Sequence, residues 1–227
     1  MSVRAALILS LALLPAAPLG AERVIAVTGR GEVTVPPDMA VIRLGVVKEG
    51  ESAATAMAAA NDAAAGVLDR LAALDIAAQD IQTSALRLAP VRSETNGARR
   101  VTGYRASNEV TVQVRDLDTL GATLDAVVAE GADTFDGLRF TLADPAPFLE
   151  EARRGAVADA TDRAATLAEA AGVALGPVGH IAEENGRSPR PMMMEAARAD
   201  AAGAPIAPGE IEMSVTVSME FAIGAAE

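Results

Sequence analysis

DIQTSALRLAPVRSETNGARRVTGYRASNEVTVQVRD, residues 80–116, decides the fold. From Tyr104 onward the residues alternate. Tyr104, Ala106, Asn108, Val110, Val112 and Val114 share one side, and Arg105, Ser107, Glu109, Thr111, Gln113 and Arg115 share the other. Successive side chains of a strand point opposite ways, so this period of two describes a strand with one buried and one wet face. Residues 81–91 form a second strand-like run, and Asn96-Gly97 between the two is a hairpin-turn signal. Together they predict a long antiparallel ribbon whose apolar face the rest of the chain must cover. The stretch specifies architecture and discloses no chemistry.

Upstream, residues 24–35 (VIAVTGRGEVTV) read as a strand interrupted by Gly29 and Gly31, which mark a bulge or a close backbone approach. A phosphate cradle would need a following helix and further glycines, which are absent. Pro36-Pro37-Asp38 turns the chain, and Ala40, Ile42, Leu44 and Val46 form the returning strand of a first hairpin. Ser52 is an N-cap. It starts an amphipathic helix through Met57, Ala60, Ala64, Val67, Leu68, Leu71 and Leu74.

After the ribbon, residues 116–130 predict a second helix, with Leu117, Leu120, Leu124, Val127 and Val128 inward and Gly131 closing it. Leu138, Phe140 and Leu142 mark a short strand. Residues 147–171 form the longest helix, its inner stripe (Leu149, Ala152, Ala156, Ala160, Ala164, Leu167, Ala171) mostly alanine. Small residues let a helix lie close on a sheet. A short strand over 178–182 follows. Residues 183–209, rich in Pro, Gly, Ala and Met, have no clean period and read as a mobile or functional loop. The final strand alternates from Ile211 to Ile223 and lacks proline, lysine and glycine, so it reads as interior, paired with the central ribbon. The predicted class is α+β in the order ββαββαβαββ, one antiparallel or mixed sheet with three helices on its apolar face.

Residues 1–21 read as a cleaved signal peptide. Arg4 is followed by an apolar run over 5–14 too short to span a bilayer, then by small residues up to Ala21. The expected mature domain is 22–227, with two ββα-type units at about 22–79 and 80–227. The formal net charge is −12 and aromatic content is 2%, which argues against nucleic acid and anionic lipid as partners and against stacking platforms. No transmembrane helix is expected in the mature chain. There is no cysteine, so disulfides, thiol catalysis and cysteine-type zinc sites are excluded.

Candidate site residues are few. His180 is the only histidine, which cannot build an imidazole metal cluster. Lys48, the only lysine, sits beside Glu49 and makes a poor Ser-Lys base. Met192-Met193-Met194 could bind Cu(I) or take up oxidant reversibly, against the plain alternative of a loop without function. Tyr104, Asn108 and Asn61 are candidates to line a ligand pocket, against the alternative of core residues with satisfied polar groups. No catalytic residue and no cofactor is assigned.

The residues also match a known pattern. It comprises Val27-Thr28-Gly29-Arg30-Gly31 with Val33, Pro37-Asp38-x-Ala40, Asn61, and Asp80-Ile81-Gln82-Thr83. It continues with Gly103-Tyr104-x-Ala106-x-Asn108, Ala168-x-x-Ala171-Gly172-x-x-Leu175-Gly176, and Pro208-Gly209-Glu210-Ile211. In this order and spacing the chain resembles the SIMPL-domain family of exported bacterial proteins over nearly all of the mature sequence. The resemblance implies a periplasmic location, a role in envelope or oxidative stress, large homo-oligomers in some members, and no enzyme activity. An envelope protein partner would fit the same picture. The alternative is a small-molecule or copper binder using the Met192–Met194 loop, to which the pattern does not extend.

Overall fold

The computed structural model describes residues 23–95, 98–184, 190–192 and 207–225. Asn96-Gly97, residues 1–22 with the stretch read as a signal peptide, Met193 and Met194 lie outside them. The elements run β1 (Val24–Val35), β2 (Met39–Gly50), α1 (Ala53–Ala73), β3 (Ile81–Thr95), β4 (Ala98–Val114), α2 (Leu120–Ala129), β5 (Thr134–Thr141), α3 (Ala146–Ala171), β6 (Val173–Glu184), β7 (Arg190–Met192) and β8 (Glu210–Ala225). The fold is α+β, and all pairings are antiparallel.

The strands form two sheets rather than one. The ribbon sheet has the order β3-β4-β2-β5, and the terminal sheet β1-β8-β6 with β7 also on β8. Three expectations are corrected here. First, β1 and β2 are no hairpin: β1 pairs with β8, and β2 with β4 and β5. Pro36 and Pro37 are locked at φ of about −65°, whereas the two-residue turns of tight hairpins need positive φ. They carry the chain from one sheet to the other, and Asp38 Oδ1 accepts the Ala143 N–H at 2.7 Å there. Second, β8 is interior but not beside the ribbon. Both edges of β4 are already occupied by β2 and β3, so β8 takes β1 and β6 instead. Third, the stretch read as loop over 183–209 contains β7, which pairs with Glu210–Glu212 of β8.

α1 lies on the ribbon sheet. Ser52 caps it reciprocally: its hydroxyl accepts from Thr55 N–H, and Thr55 Oγ1 accepts from Ser52 N–H. Ala64, Val67 and Leu71 pack on Ala40, Ile42, Leu44, Val46, Val110, Val112 and Val114, with Leu120 and Val127 of α2 closing the cluster. Val128, expected inward, is exposed.

α3 lies on the terminal sheet through Ala152, Ala156, Ala160 and Ala164, which meet Val215, Val217, Met219 and Phe221. Here the glycines of β1 find their reason. A Cβ on Gly29 would sit 2.1 Å from the Ala156 carbonyl oxygen, and one on Gly31 would sit 1.9 Å from that of Ala152. Helix backbone rests directly on strand backbone, so Gly and Ala are required on the two sides of one contact. The stripe ends with Ala168 buried, while Leu167 and Ala171, expected inward, are exposed. Gly172, at φ 65°, terminates α3, and β6 begins at once.

α1 and α3 are each followed by an outer strand of the sheet they cover and then by a middle one: α1-β3-β4 beside β2, and α3-β6-β8, with the short β7 between, beside β1. α1 covers β2 and β4, and α3 covers β1 and β8, so β3 and β6 are left partly bare. Leu86 and Leu88 on β3 are 54% and 43% exposed, and Val178 and Ile181 on β6 are 46% and 52% exposed.

Candidate functional site

The candidate residues fall in different places. Tyr104 and Asn108 flank buried Ala106 on the α1 face of β4, and Tyr104 packs against Ala56 and Ala60. Asn108 Oδ1 is buried and has no hydrogen-bond partner among the described residues. Asn61 is exposed on α1, because Ala60 and Ala64 take the sheet-facing positions. Met192 belongs to β7 on the other sheet. The structure therefore unites Tyr104 with Asn108 and separates both from Met192.

Tyr104 also lines a hollow of about 280 Å³ with Glu49, Glu51, Val91 and Thr102, where β2 ends beside the ribbon. Glu49 accepts two hydrogen bonds from Arg105, at 2.9 and 2.7 Å. Glu51 is exposed. A second, more apolar groove of about 540 Å³ lies between β1 and α3, along Val27, Thr166 and Leu167.

The ionic groups are used to hold the fold. Asp80, 6% exposed, takes a two-pronged bond from Arg115, Nε at 2.8 Å and Nη2 at 2.7 Å. That bond holds the Asp80 carboxyl below the usual carboxylate range, against the opposing pull of desolvation. It ties the start of β3 to the end of the ribbon. Lys48 Nζ is bound to Asp133 at 2.8 Å, and the Val47 N–H adds a second bond. The lysine bond, then the backbone bond, lowers the Asp133 pKa. This removes Lys48 from service as a base. His180 is exposed on β6, opposite Glu220. Among the described residues no three His, Asp or Glu side chains converge in a way that could hold a metal ion.

Asp159 and Arg163 of α3 close the edge of β1. Asp159 Oδ2 accepts the Arg30 N–H at 2.8 Å, and Arg163 donates to the Thr28 carbonyl at 3.2 Å and to Asp159 at 3.0 Å. The Arg30 backbone bond is the main cause of a lowered Asp159 pKa. These are backbone groups that an added strand would otherwise use. In the sequence Asp159 and Arg163 stand four residues apart on one helix, and nothing local says that they reach a strand some 130 residues away.

The family model SIMPL, described as a protein of unknown function (DUF541), matches residues 25–221. The chain is 38% identical over 212 residues to the 26 kDa periplasmic immunogenic protein of Brucella melitensis, covering 88% of this chain and 84% of that protein. The Brucella abortus counterpart matches equally. This chain is also 31% identical over 154 residues to the uncharacterized protein YggE of Escherichia coli, covering 68% of this chain and 63% of that protein. None of these names is enzymatic. No helix among the described residues is long and apolar enough to cross a membrane. With a family model spanning nearly all the described residues, the chain belongs to the SIMPL family.

Proposed function

We propose that this is a non-enzymatic periplasmic protein that serves in envelope or oxidative stress by assembling with copies of itself or with an envelope partner. The observation that carries the reading is the distribution of uncovered surface. Two outer strands, β3 and β6, present exposed Leu86, Leu88, Val178 and Ile181 beside their helices. Strand edges with apolar flanks are association surfaces unless they are blunted. β1 is blunted, by Asp159 and Arg163. The periplasmic names of the Brucella relatives support the compartment.

Two experiments test this. Light scattering on the protein purified from the periplasm should give a mass above that of one chain. Deletion of the gene in its host should lower survival under peroxide, with rescue by the wild-type chain. A monomer at all concentrations removes the assembly reading, and unchanged survival removes the stress role.

A further inference from the structure

The wet face of the ribbon sheet carries two adjacent cations at its β5 edge. Ile42 and Leu44 of β2, and Leu138 and Phe140 of β5, pack into the helix-covered core. Side chains alternate along a strand, so Val41, Arg43, Gly137 and Arg139 belong to the opposite face. The register pairs Val41 with Arg139 and Arg43 with Gly137. Arg43 and Arg139 are therefore diagonal neighbours, ~7–8 Å apart at the backbone and within reach of one another through their long side chains. With Asp136 and Leu138, these residues line a hollow of about 160 Å³.

Among the described residues neither guanidinium has a hydrogen-bond or ion-pair partner. Arg87, Arg105 and Arg115 of the same sheet are each held by a carboxylate, from Glu109, Glu49 and Asp80. Like charges side by side on a sheet destabilise it. The unmatched pair does not reflect a want of carboxylates, since Asp and Glu outnumber Lys and Arg by 31 to 19. The glycine beside the pair leaves room: a Cβ on Gly137 would meet nothing within 4 Å. Asp136, the extra residue of the bulge opposite Arg43 and Leu44, brings one carboxylate to the hollow.

We infer that this hollow binds the head group of a small zwitterion, an α-amino acid, whose carboxylate takes the Arg43 and Arg139 guanidiniums and whose ammonium meets Asp136. Two positive charges and one negative line the hollow, and a carboxylate beside an ammonium is the pattern that answers all three. A simple oxyanion satisfies the arginines but is repelled by Asp136. A simple amine meets Asp136 but is repelled by both arginines. The guanidinium fork matches carboxylate geometry, and its bonds to an ionised acceptor are the strong ones. At about 160 Å³ the hollow is smaller than the ~300–1,000 Å³ of sites that enclose drug-sized ligands. The amino-acid side chain therefore stays outside it and adds little selectivity. The site lies on the face of the sheet away from Tyr104 and Asn108, and the inference does not depend on the assembly reading.

Saturation-transfer NMR on the purified chain tests this, because it reads weak ligands on a protein of any assembled size. Glycine and alanine should bind saturably and with similar strength, and acetate and methylammonium at least about tenfold more weakly. Arg43→Gln and Arg139→Gln should each weaken glycine binding about tenfold. Asp136→Asn should weaken glycine to a similar degree and leave acetate no weaker. Arg105→Gln, which breaks an ion pair elsewhere on the same sheet, should leave glycine binding unchanged. All four side chains are exposed, and circular dichroism checks the folding of each variant. Acetate bound as tightly as glycine, and more tightly still by Asp136→Asn, overturns the amino-acid inference in favour of a plain anion site. No saturable glycine signal, or one that survives all three changes in the hollow, overturns the site itself.

Discussion

Gly31→Ala is the sharpest test of how the terminal sheet is built. The added Cβ would lie 1.9 Å from the Ala152 carbonyl oxygen, 2.5 Å from the Ala156 nitrogen and 2.9 Å from the Ala152 carbonyl carbon. All three are backbone atoms, so no side-chain rotation relieves the contact. Ordinary van der Waals contact begins at 3.4 Å, so α3 must retreat by about 1.5 Å. A radial gap of ~0.5–1 Å already forfeits a quarter to a half of the dispersion well between facing atoms. The whole alanine stripe would lose contact with β1 and β8, and the 2.8 Å bond from Arg30 N–H to Asp159 would open. Overpacking costs ~1–3 kcal/mol, occasionally more, and with the second loss we expect about 3 kcal/mol or more. The control is Gly121→Ala in α2, where the new methyl meets nothing within 4 Å. Removing a helical glycine there should stabilise by ~0.5–1 kcal/mol. Urea titrations followed by circular dichroism compare the two. If Gly31→Ala lies within about 0.5 kcal/mol of wild type, the surface-substitution range, the backbone-on-backbone contact is wrong.

Other consequences follow from the same structure. Val217→Pro should abolish soluble folded protein, because Val217 pairs with both Gly29 and Glu183 and a ring there removes a ladder donor from an interior strand; a folded product would place β8 at an edge. Asp159→Ala should raise aggregation on heating, read by light scattering, because it uncovers the Arg30 N–H at the β1 edge; unchanged aggregation would mean that the edge is closed by something else. Asp80 has a lowered folded-state pKa. Its stabilisation is therefore present above the unfolded value of ~3.9 and lost as pH falls through the folded value below it. The gap in urea midpoint between wild type and Asp80→Asn should be full at pH 7 and close in acid, and a gap that widens in acid would reverse the assignment.

The elements were legible because each announces itself locally. Period-two runs gave the long strands, Ser52 and Gly131 gave helix ends, and Gly29 and Gly31 signalled close backbone approach. Pairing was less legible. The lack of proline, glycine and lysine between Ile211 and Ile223 marked β8 as interior, but its neighbours depend on which edges remain free once β2 and β3 have enclosed β4. Val128 and Leu167 fit a helical stripe by spacing yet face solvent, since a helix buries only the residues that lie directly above the strands it covers. At the candidate site, the alternation placed Tyr104 and Asn108 on one face. It could not show that β2 stops opposite Tyr104, which is what opens the acidic hollow beside the ribbon.

A chain that works as an assembly must exceed the mass of one copy in solution. Sedimentation velocity of the processed protein over a wide concentration range, at low and at high salt, tests it most directly. A species heavier than one chain, whose share grows with concentration and which persists at high salt, is expected. A single-chain species throughout would contradict it.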